Sequence, residues 1–253
     1  MKTADLKALK TDFQSIQPFR KHFLQERNFQ IRYNACHERG WADHYIFYRS
    51  GTAIGYGAIN GQKIPDRDTA FEFFIEPDFR SQANFAFKAL LTVAHPQWIE
   101  CQSNDFGFFA ILCEFGRNIE SDTVLFQDLS RTQLVHPECI FRKRSLDATI
   151  FQHQAEPVGD YVLEVEGMVV ATGGFLTHYN FPFADLHVEV KEDHRGKGFG
   201  AYFLQEIKKE CYRAKHVPAA RCNIRNEPSK RALLRAGMDI CGFMLKGSAL
   251  LSP

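Results

Sequence analysis

The clearest alternation of hydrophobic and polar residues lies in the second half of the chain, in the segment Leu-His-Val-Glu-Val at residues 186–190. Such alternation predicts a strand with one buried face. After a loop rich in glycine, apolar residues recur one turn apart at Phe203, Leu204, Ile207 and Cys211, which predicts an amphipathic helix. The order predicted for this half is therefore strand, glycine loop and helix.

The same order of patterns occurs twice along the chain. Three blocks of the first half match blocks of the second: 45–57 with 161–173, 73–80 with 188–195, and 114–116 with 235–237. The first block predicts a hairpin, and the second predicts a strand that leads into a helix. Coincidence is the alternative, because any two α/β segments share such patterning. The conserved order and spacing of the blocks favour an internal duplication with a boundary near Ser130.

The N-terminal stretch Leu6–Phe29 carries apolar residues at roughly helical spacing. We expect amphipathic helices there, interrupted near Pro18, because proline lacks the backbone N–H that a helix interior uses.

The composition is that of an ordinary soluble globular protein: 45% of the 253 residues are hydrophobic, 24% are charged, and the formal net charge is +1. The length allows two domains or one large one. The charge balance gives no reason to expect a nucleic-acid partner. Residues 1–19 lack the apolar core of a signal peptide, and the longest near-apolar stretch, Gly107–Cys113, is too short for a membrane span. We expect a cytoplasmic protein without a membrane partner.

The seven cysteines occur singly, and no two are separated by the two to four residues that zinc ligands favour. We expect reduced, mostly buried thiols and no metal. The segments His187-Val-Glu189 and His136-Pro-Glu138 fit the start of a deaminase zinc signature, but neither is followed by the Pro-Cys-x-x-Cys that would complete it.

The loop at residues 193–200, Asp-His-Arg-Gly-Lys-Gly-Phe-Gly, predicts an anion-binding site. Its glycines let the backbone approach a phosphate closely, and the free N–H groups at the start of the following helix attract negative charge. Arg195 and Lys197 add positive charge. The alternative is a flexible turn with solvated basic residues. The spacing matches neither a Walker loop nor a dinucleotide fingerprint.

Residues 218–237 predict a strand and a short helix after the glycine loop. Pro-Ala-Ala-Arg-Cys-Asn-Ile at 218–224 suits a strand. Asn226 and Pro228 suit the start of a helix, and Gly237 suits its end.

Three motifs now carry a specific resemblance: Arg195-x-x-Gly198-x-Gly200, then Asn226-x-x-Ser229, then Leu233-Leu-Arg-Ala-Gly237-Met. In this combination and spacing the chain resembles the GNAT superfamily of acetyl-CoA-dependent N-acetyltransferases. The resemblance covers residues 131–253 and, more weakly, residues 1–130.

The resemblance implies an α/β (α+β) fold of two tandem GNAT-like units. Each would be a mixed, mostly antiparallel sheet flanked by helices, with a V-shaped splay between its central strands. The aligned loop of the first unit, Arg80-Ser-Gln-Ala-Asn-Phe85, has none of the three glycines. We therefore expect residues 1–130 to be a degenerate domain without the cofactor loop, which covers the active site, shapes the acceptor pocket, forms a pseudo-dimer or only stabilises the protein. The implied assembly is a monomer with this internal pseudo-dimer, or a homodimer.

Acetyl-CoA is the cosubstrate that the resemblance implies for residues 131–253. In the family the glycine loop binds the pyrophosphate, and the pantetheine arm lies where the strand before the loop splays from the next strand. The residues expected to contact the cosubstrate are Val188, Val190, Arg195, Gly196, Lys197, Gly198, Phe199, Gly200, Asn226 and Ser229. For Asn226 and Ser229, capping of the helix alone is the alternative.

The implied reaction is direct transfer of acetyl to a primary amine, on a small molecule or a protein, in a ternary complex. Glu189 is our candidate general base, since its side chain should point opposite to those of Val188 and Val190. The alternative for Glu189 is a structural pair with Arg195 or another donor. Leu234 stands where family members often carry a tyrosine that protonates the leaving thiolate. That departure supports a competing hypothesis, a non-catalytic acyl-CoA-binding sensor or interaction module.

Overall fold

The structure of the chain, a computed structural model, describes residues 6–26, 33–145, 148–154 and 156–250. By their internal contacts the residues group into two compact units. The first unit comprises residues 1–122 and 243–253, and the second comprises residues 123–242. The C-terminal segment thus belongs to the first unit. A single division of the chain near Ser130 does not include this exchange. That sequence-based boundary stays a prediction.

The first unit contains the following elements: β1 (Leu6–Thr11), α1 (Phe13–Glu26), α2 (Tyr33–Glu38), β2 (Ala42–Arg49), β3 (Thr52–Asn60), β4 (Thr69–Ile75), α3 (Ala83–Ala94), β5 (Trp98–Gln102), α4 (Phe106–Phe115) and the start of β6 (Gly116–Asp128). Its strands are ordered β1-β2-β3-β4-β5-β12, the last being contributed by the C-terminal segment. Among the described strands of this unit, β4 and β5 form a parallel pair, in which Thr69 pairs with Trp98 and Ala70 pairs with Ile99.

The second unit contains the end of β6 and the following elements: β7 (Cys139–Lys143), β8 (Tyr161–Val165), β9 (Met168–Leu176), β10 (Phe183–Val190), α5 (Phe199–Arg213), β11 (Val217–Asn223), α6 (Glu227–Arg235) and the start of β12 (Met238–Ala249). Its strands are ordered β6-β11-β10-β9-β8-β7. The parallel strands β10 and β11 pair from Phe183 with Val217 to Asp185 with Ala219 and then separate. The predicted fold class, with its splay between central strands, is confirmed.

Each sheet is held by helices that bury its alternating apolar side chains. In the first unit α3 and α4 supply Phe87 and Phe108 to a cluster with Phe73 of β4. In the second unit α5 packs on β9 and β10, where a Cβ atom added at Gly173 would lie 3.1 Å from the ring of Phe203. Glycine at that position therefore lets α5 approach the sheet closely.

The two predicted hairpins are present as β2–β3 and β8–β9. The prediction for the N-terminal stretch was wrong in two respects. Leu6–Thr11 is a strand paired along its whole length with β2, and α1 runs through Pro18 without a break. Ile16 and Phe23, on either side of the proline, are buried in one cluster, and this packing holds the helix together. Residues 27–29 of the predicted stretch lie outside the described residues.

All seven cysteines are free thiols. The expectation of mostly buried thiols was only partly right: Cys36, Cys101 and Cys211 are buried, but Cys113 is exposed and the others are half-buried. Within the described ranges, no helix combines the length and apolar character needed to cross a membrane.

Candidate active site

The predicted anion loop connects β10 to α5 in the second unit. After a turn of 3-10 helix at Glu192–His194, the backbone passes through Gly196 and Gly198, whose φ angles are +79° and +92°. These left-handed conformations disfavour any residue with a side chain, which explains both glycines. Gly198 is the N-cap of α5 and provides no side-chain hydrogen bond to its first turn. The first N–H groups of a helix have no intrahelical partner, so this turn is suited to bind an anion.

A cavity of about 390 Å³ opens beside this loop. Six of the ten predicted cosubstrate residues line it: Val190, Arg195, Gly196, Gly198, Phe199 and Gly200. The predicted residues Val188, Lys197, Asn226 and Ser229 are not among its lining residues. The structure therefore brings the loop and the end of β10 together around one cavity, and the contacts of all ten residues with a cosubstrate stay predictions.

Sequence reasoning missed the contribution of α6 to this cavity. Pro228, Arg231, Ala232 and Arg235 line it from that helix. A Cβ atom added at Gly198 would lie 3.9 Å from Nη2 of Arg235, so this guanidinium is close to the loop. Arg231 and Arg235 are spaced four residues apart, which places both on one face of a helix. This spacing of the two arginines is the feature of the sequence that could have indicated the contribution of α6 to the cavity.

Arg195 fixes the loop to the strand before it. Its Nε donates a hydrogen bond of 3.0 Å to the backbone oxygen of Val190. With Arg231 and Arg235, it makes three guanidinium groups along the cavity wall. Such a wall favours a ligand with phosphate groups.

Asn226 caps the N-terminus of α6. Helix capping was the structural alternative to a role in cosubstrate binding. Its Oδ1 accepts a hydrogen bond of 3.1 Å from the backbone N–H of Ser229. The Ser229 side chain also hydrogen-bonds Cys222, whose pKa is raised by burial in spite of that bond. Capping is therefore sufficient to account for the Asn226-x-x-Ser229 pattern.

Glu189 lies on the face of β10 that is opposite to the glycine loop. Its Oε1 accepts a hydrogen bond of 2.9 Å from the backbone N–H of Gln154. Val190, by contrast, faces the start of α5, with its Cγ2 3.5 Å from the position of a Cβ added at Gly200. The expected opposite orientation is present, and the catalytic role of Glu189 stays a prediction.

His187 lies on the same face of β10 as Glu189, two residues earlier. Both of its ring nitrogens are buried, and neither has a hydrogen-bond partner among the described residues. Burial lowers the pKa of His187, with a further decrease from His178, while the carboxylates of Asp185 and Asp160 oppose the shift. Nε2 of His178 lies 3.2 Å from Oδ2 of Asp185. A neutral imidazole among acidic groups is suited to accept a proton.

Leu234, at the position where the family often carries tyrosine, is 45% exposed and lies on α6 outside the cavity lining. A leucine side chain has no proton to donate, so it contributes no general acid.

The corresponding loop of the first unit is built differently. A 3-10 helix over Pro77–Gln82 runs directly into α3, and the N–H of Ala83 donates to the backbone oxygen of Arg80. The guanidinium of Arg80 pairs with Glu26 of α1. The Ala83 N–H and the Arg80 guanidinium of this loop are thus engaged within the unit. The lack of a cofactor loop in this unit stays a prediction.

One group of metal-type donors occurs among the described residues: His136, Glu138 and Cys139, with donor atoms within 4.8 Å of one another. Nδ1 of His136 lies 3.0 Å from Oε1 of Glu138, and burial raises the pKa of Cys139 to about 11. The histidine–carboxylate pair and a protonated thiol account for the grouping without an ion. The expectation of no metal stays a prediction.

Comparison with known proteins agrees with the duplicated fold. A family profile described as Acetyltransferase (GNAT) domain matches residues 12–129, and one described as Acetyltransferase (GNAT) family matches residues 125–238. Comparison with curated proteins gave no match. A GNAT-family acetyltransferase from Colwellia psychrerythraea aligns with a TM-score of 0.75 at 12% identity, over 96% of this chain and 99% of that one.

A tandem GNAT protein from the clavulanic acid biosynthesis pathway, solved without acetyl-CoA, also aligns along its length. Its TM-score is 0.63 at 10% identity, over 98% of this chain and 99% of that one. Likeness at such low identity shows a common fold. The internal duplication predicted from the three sequence blocks is confirmed.

Proposed function

This chain belongs to the GNAT acetyltransferase family, as a tandem protein with one such domain in each half, and we propose that its second unit transfers the acetyl group of acetyl-CoA to a primary amine. The amine belongs to a small molecule or to a protein. The observation that carries the proposal is the uncapped start of α5, which opens with Gly196 and Gly198 into a cavity lined by three arginines.

The local geometry fits the pyrophosphate of acetyl-CoA. Backbone N–H groups at the start of α5 would donate to phosphate oxygens, and the guanidinium groups of Arg195, Arg231 and Arg235 would neutralise their charge. Val190, at the end of β10, and the small residues Gly200 and Ala232 line another part of this cavity, where we place the rest of the cosubstrate. We propose one acetyl-CoA per chain, bound by the second unit.

Acetyl-CoA supplies the activated acetyl group when it is bound. The chain contributes position, because holding both reactants in one cleft removes much of the entropic barrier to their reaction. Pairing between β10 and β11 ends at Asp185, so β10 continues toward Val190 without this neighbour. We propose that a backbone N–H near Val190 stabilises the oxyanion that forms on the acetyl carbonyl, a contact worth about 2.7 to 4 kcal/mol in other enzymes.

A screen of amines, scored by release of free thiol from acetyl-CoA, tests the proposal. Representatives of polyamines, aminoglycosides, amino acids and lysine-containing peptides cover the main classes of primary amine. Turnover of at least one amine is expected, and Gly198→Val should abolish most of that signal. Tight binding of acetyl-CoA without turnover in every class would instead favour the sensor hypothesis suggested by Leu234.

A further inference from the structure

We propose that His187, rather than Glu189, accepts the proton that the acceptor amine loses, an inference that rests on the proposed acetyl transfer. Both residues lie on the same face of β10, so their side chains approach the same space. The structure distinguishes them by what each side chain already binds and by where each stands relative to the splay.

His187 lies at the splay itself. The last paired position of β10 with β11 is Asp185 with Ala219, and His187 is the next residue on the same face. On its other side, β10 pairs His187 with Gly174 of β9, which carries no side chain to cover the ring. A Cβ atom added at Gly174 would lie 3.5 Å from Cε1 of His187. The imidazole therefore occupies space that a larger residue on β9 would restrict.

The hydrogen-bonding state of His187 is compatible with a water or a ligand at its ring. Both ring nitrogens are shielded by protein and have no partner among the described residues. A buried polar group without a hydrogen bond is costly, and in native proteins such groups usually meet water or a ligand. Glu189, in contrast, accepts the backbone N–H of Gln154 and so holds the segment between β7 and β8 against the sheet. We assign Glu189 a positioning role.

The groups that act on His187 come from its own strand and from the segments beside β8 and β9, and Arg221 of β11 lies near one of them. Asp185 precedes it on β10, Asp160 immediately precedes β8, His178 follows β9, and Arg221 of β11 places its Nε 3.9 Å from Oδ2 of Asp185. Burial lowers the pKa of His187, so the ring is neutral at pH 7 and able to take a proton. The carboxylates of Asp185 and Asp160 would then stabilise the imidazolium and attract a cationic acceptor.

The proposed reaction starts from a protonated primary amine. One ammonium proton moves to a ring nitrogen of His187, and the freed lone pair attacks the thioester carbonyl carbon. The new C–N bond forms, the C–S bond breaks, and the sulfur leaves as a thiolate. The second proton lost by the nitrogen ends on that thiolate, directly or through water. His187 returns its proton to solvent, so each turnover releases one proton, the amide and free coenzyme A.

The equivalent position in the first unit supports this assignment by contrast. Glu72 matches His187 in the alignment of the repeats. Its Oε1 accepts bonds from Nε of Arg20 at 2.8 Å and from the Tyr56 hydroxyl at 2.5 Å, and lies 3.1 Å from Nε2 of His37. Glu72 is thus bound within its own unit through Oε1, although its Oε2 has no partner among the described residues. In the second unit the same position carries a titratable ring whose two nitrogens have no hydrogen-bond partner in the described part of the chain.

The test is the pH dependence of kcat for His187→Gln, with the amine that the wild-type protein acetylates fastest. We expect a loss of about 100-fold at pH 7. The loss should shrink as the pH approaches about 10, where a primary amine loses its proton unaided. Wild-type activity should fall only as the pH drops through the lowered pKa of His187, below about 6.5. His216→Gln, whose ring contacts the backbone oxygen of Pro182 at 3.3 Å, is the matched control and should keep the wild-type profile.

Two further measurements separate the possible failures. In the full chain, an NMR titration of the imidazole signal that His187→Gln removes should show a neutral ring at pH 7; a protonated ring would overturn the inference. Glu189→Gln should keep the shape of the pH profile. If it abolishes the acidic limb while His187→Gln keeps it, Glu189 is the base and His187 is not. If the wild-type protein acetylates no amine, the proposed function fails and this inference fails with it.

Discussion

The two units share one strand order, but the same face of their sheets serves different purposes. In the first unit α1 and α2 connect β1 to β2, and α1 packs against β2, β3 and β4. In the second unit residues 144–160 connect the corresponding strands, and their described part contains no helix. Tyr56 and Phe74 of the first face are fully or almost fully buried under α1, whereas the equivalent Thr172 and Glu189 bind His153 and Gln154. The equivalent face of the sheet is therefore core in the first unit and carries hydrogen-bonded polar side chains in the second.

The ion pair beneath α1 shows how complete that closure is. Arg20 and Glu72 are buried, and His37 bridges Glu72 to His44 through ring nitrogens 2.9 Å apart. Burial alone would raise the pKa of Glu72, but the charges of Arg20 and His37 outweigh it and hold that pKa well below the usual range. For the neighbouring His44, burial disfavours the charged ring and lowers its pKa to about 4. The unit without the glycine loop is thus also the unit in which the opposite face of the sheet is closed.

The largest effect on folding is expected when the chain is cut at the boundary between its two sequence repeats. A fragment of residues 131–253 lacks the part of β6, residues 123–127, that pairs with β11. It also carries residues 244–248, whose partner strand is β5. Both exposed edges favour aggregation. We expect this fragment to be poorly soluble in size-exclusion chromatography and to lack a cooperative melt. A monodisperse, fully active fragment would show that these pairings are dispensable.

Next in size is the effect of removing the buried cation of the first unit. Arg20→Met leaves the carboxylate of Glu72 buried without its main counter-charge, so we expect a loss of about 3 to 5 kcal/mol in the free energy of unfolding. The matched control is Arg80→Met, which breaks an arginine–glutamate pair whose arginine is half exposed and should cost about 1 kcal/mol or less. Urea denaturation measures both. Equal losses would mean that α1 does not depend on the buried pair.

The loop comparison predicts a smaller and local effect on binding. Gly198→Val should weaken acetyl-CoA binding about 10- to 100-fold, because the left-handed backbone and its N–H contacts to a charged ligand would be lost. Ala83→Val, the equivalent change in the first unit, should leave the affinity unchanged. Isothermal titration calorimetry measures both constants and should find one site per chain. Two sites, or equal losses in the two variants, would contradict the assignment of binding to the second unit.

Local sequence patterns were sufficient to predict several elements of secondary structure and the internal duplication of this protein. Alternation defined β10, the glycines at 196 and 198 marked the left-handed turns before α5, and the repeat of hairpins indicated two units. Each of these features depends on residues close together in the chain, where backbone conformation and side-chain period are set by neighbouring residues. The conformation of the Gly-x-Gly turn before a helix could therefore be predicted from the sequence, and its binding of an anion stays a prediction.

Tertiary structure decided what depends on residues far apart in the sequence. Leu6–Thr11 became a strand because β2 offered an edge, overriding a helical spacing. The C-terminal strand joined β5, across about half the chain, because pairing of edges is not encoded in either strand alone. The environment of His187 arose in the same way, since Asp160 and His178 act on it from separate segments and Arg221 lies beside its neighbour Asp185. The sequence determines which side chains are present, and tertiary packing determines which of them come together.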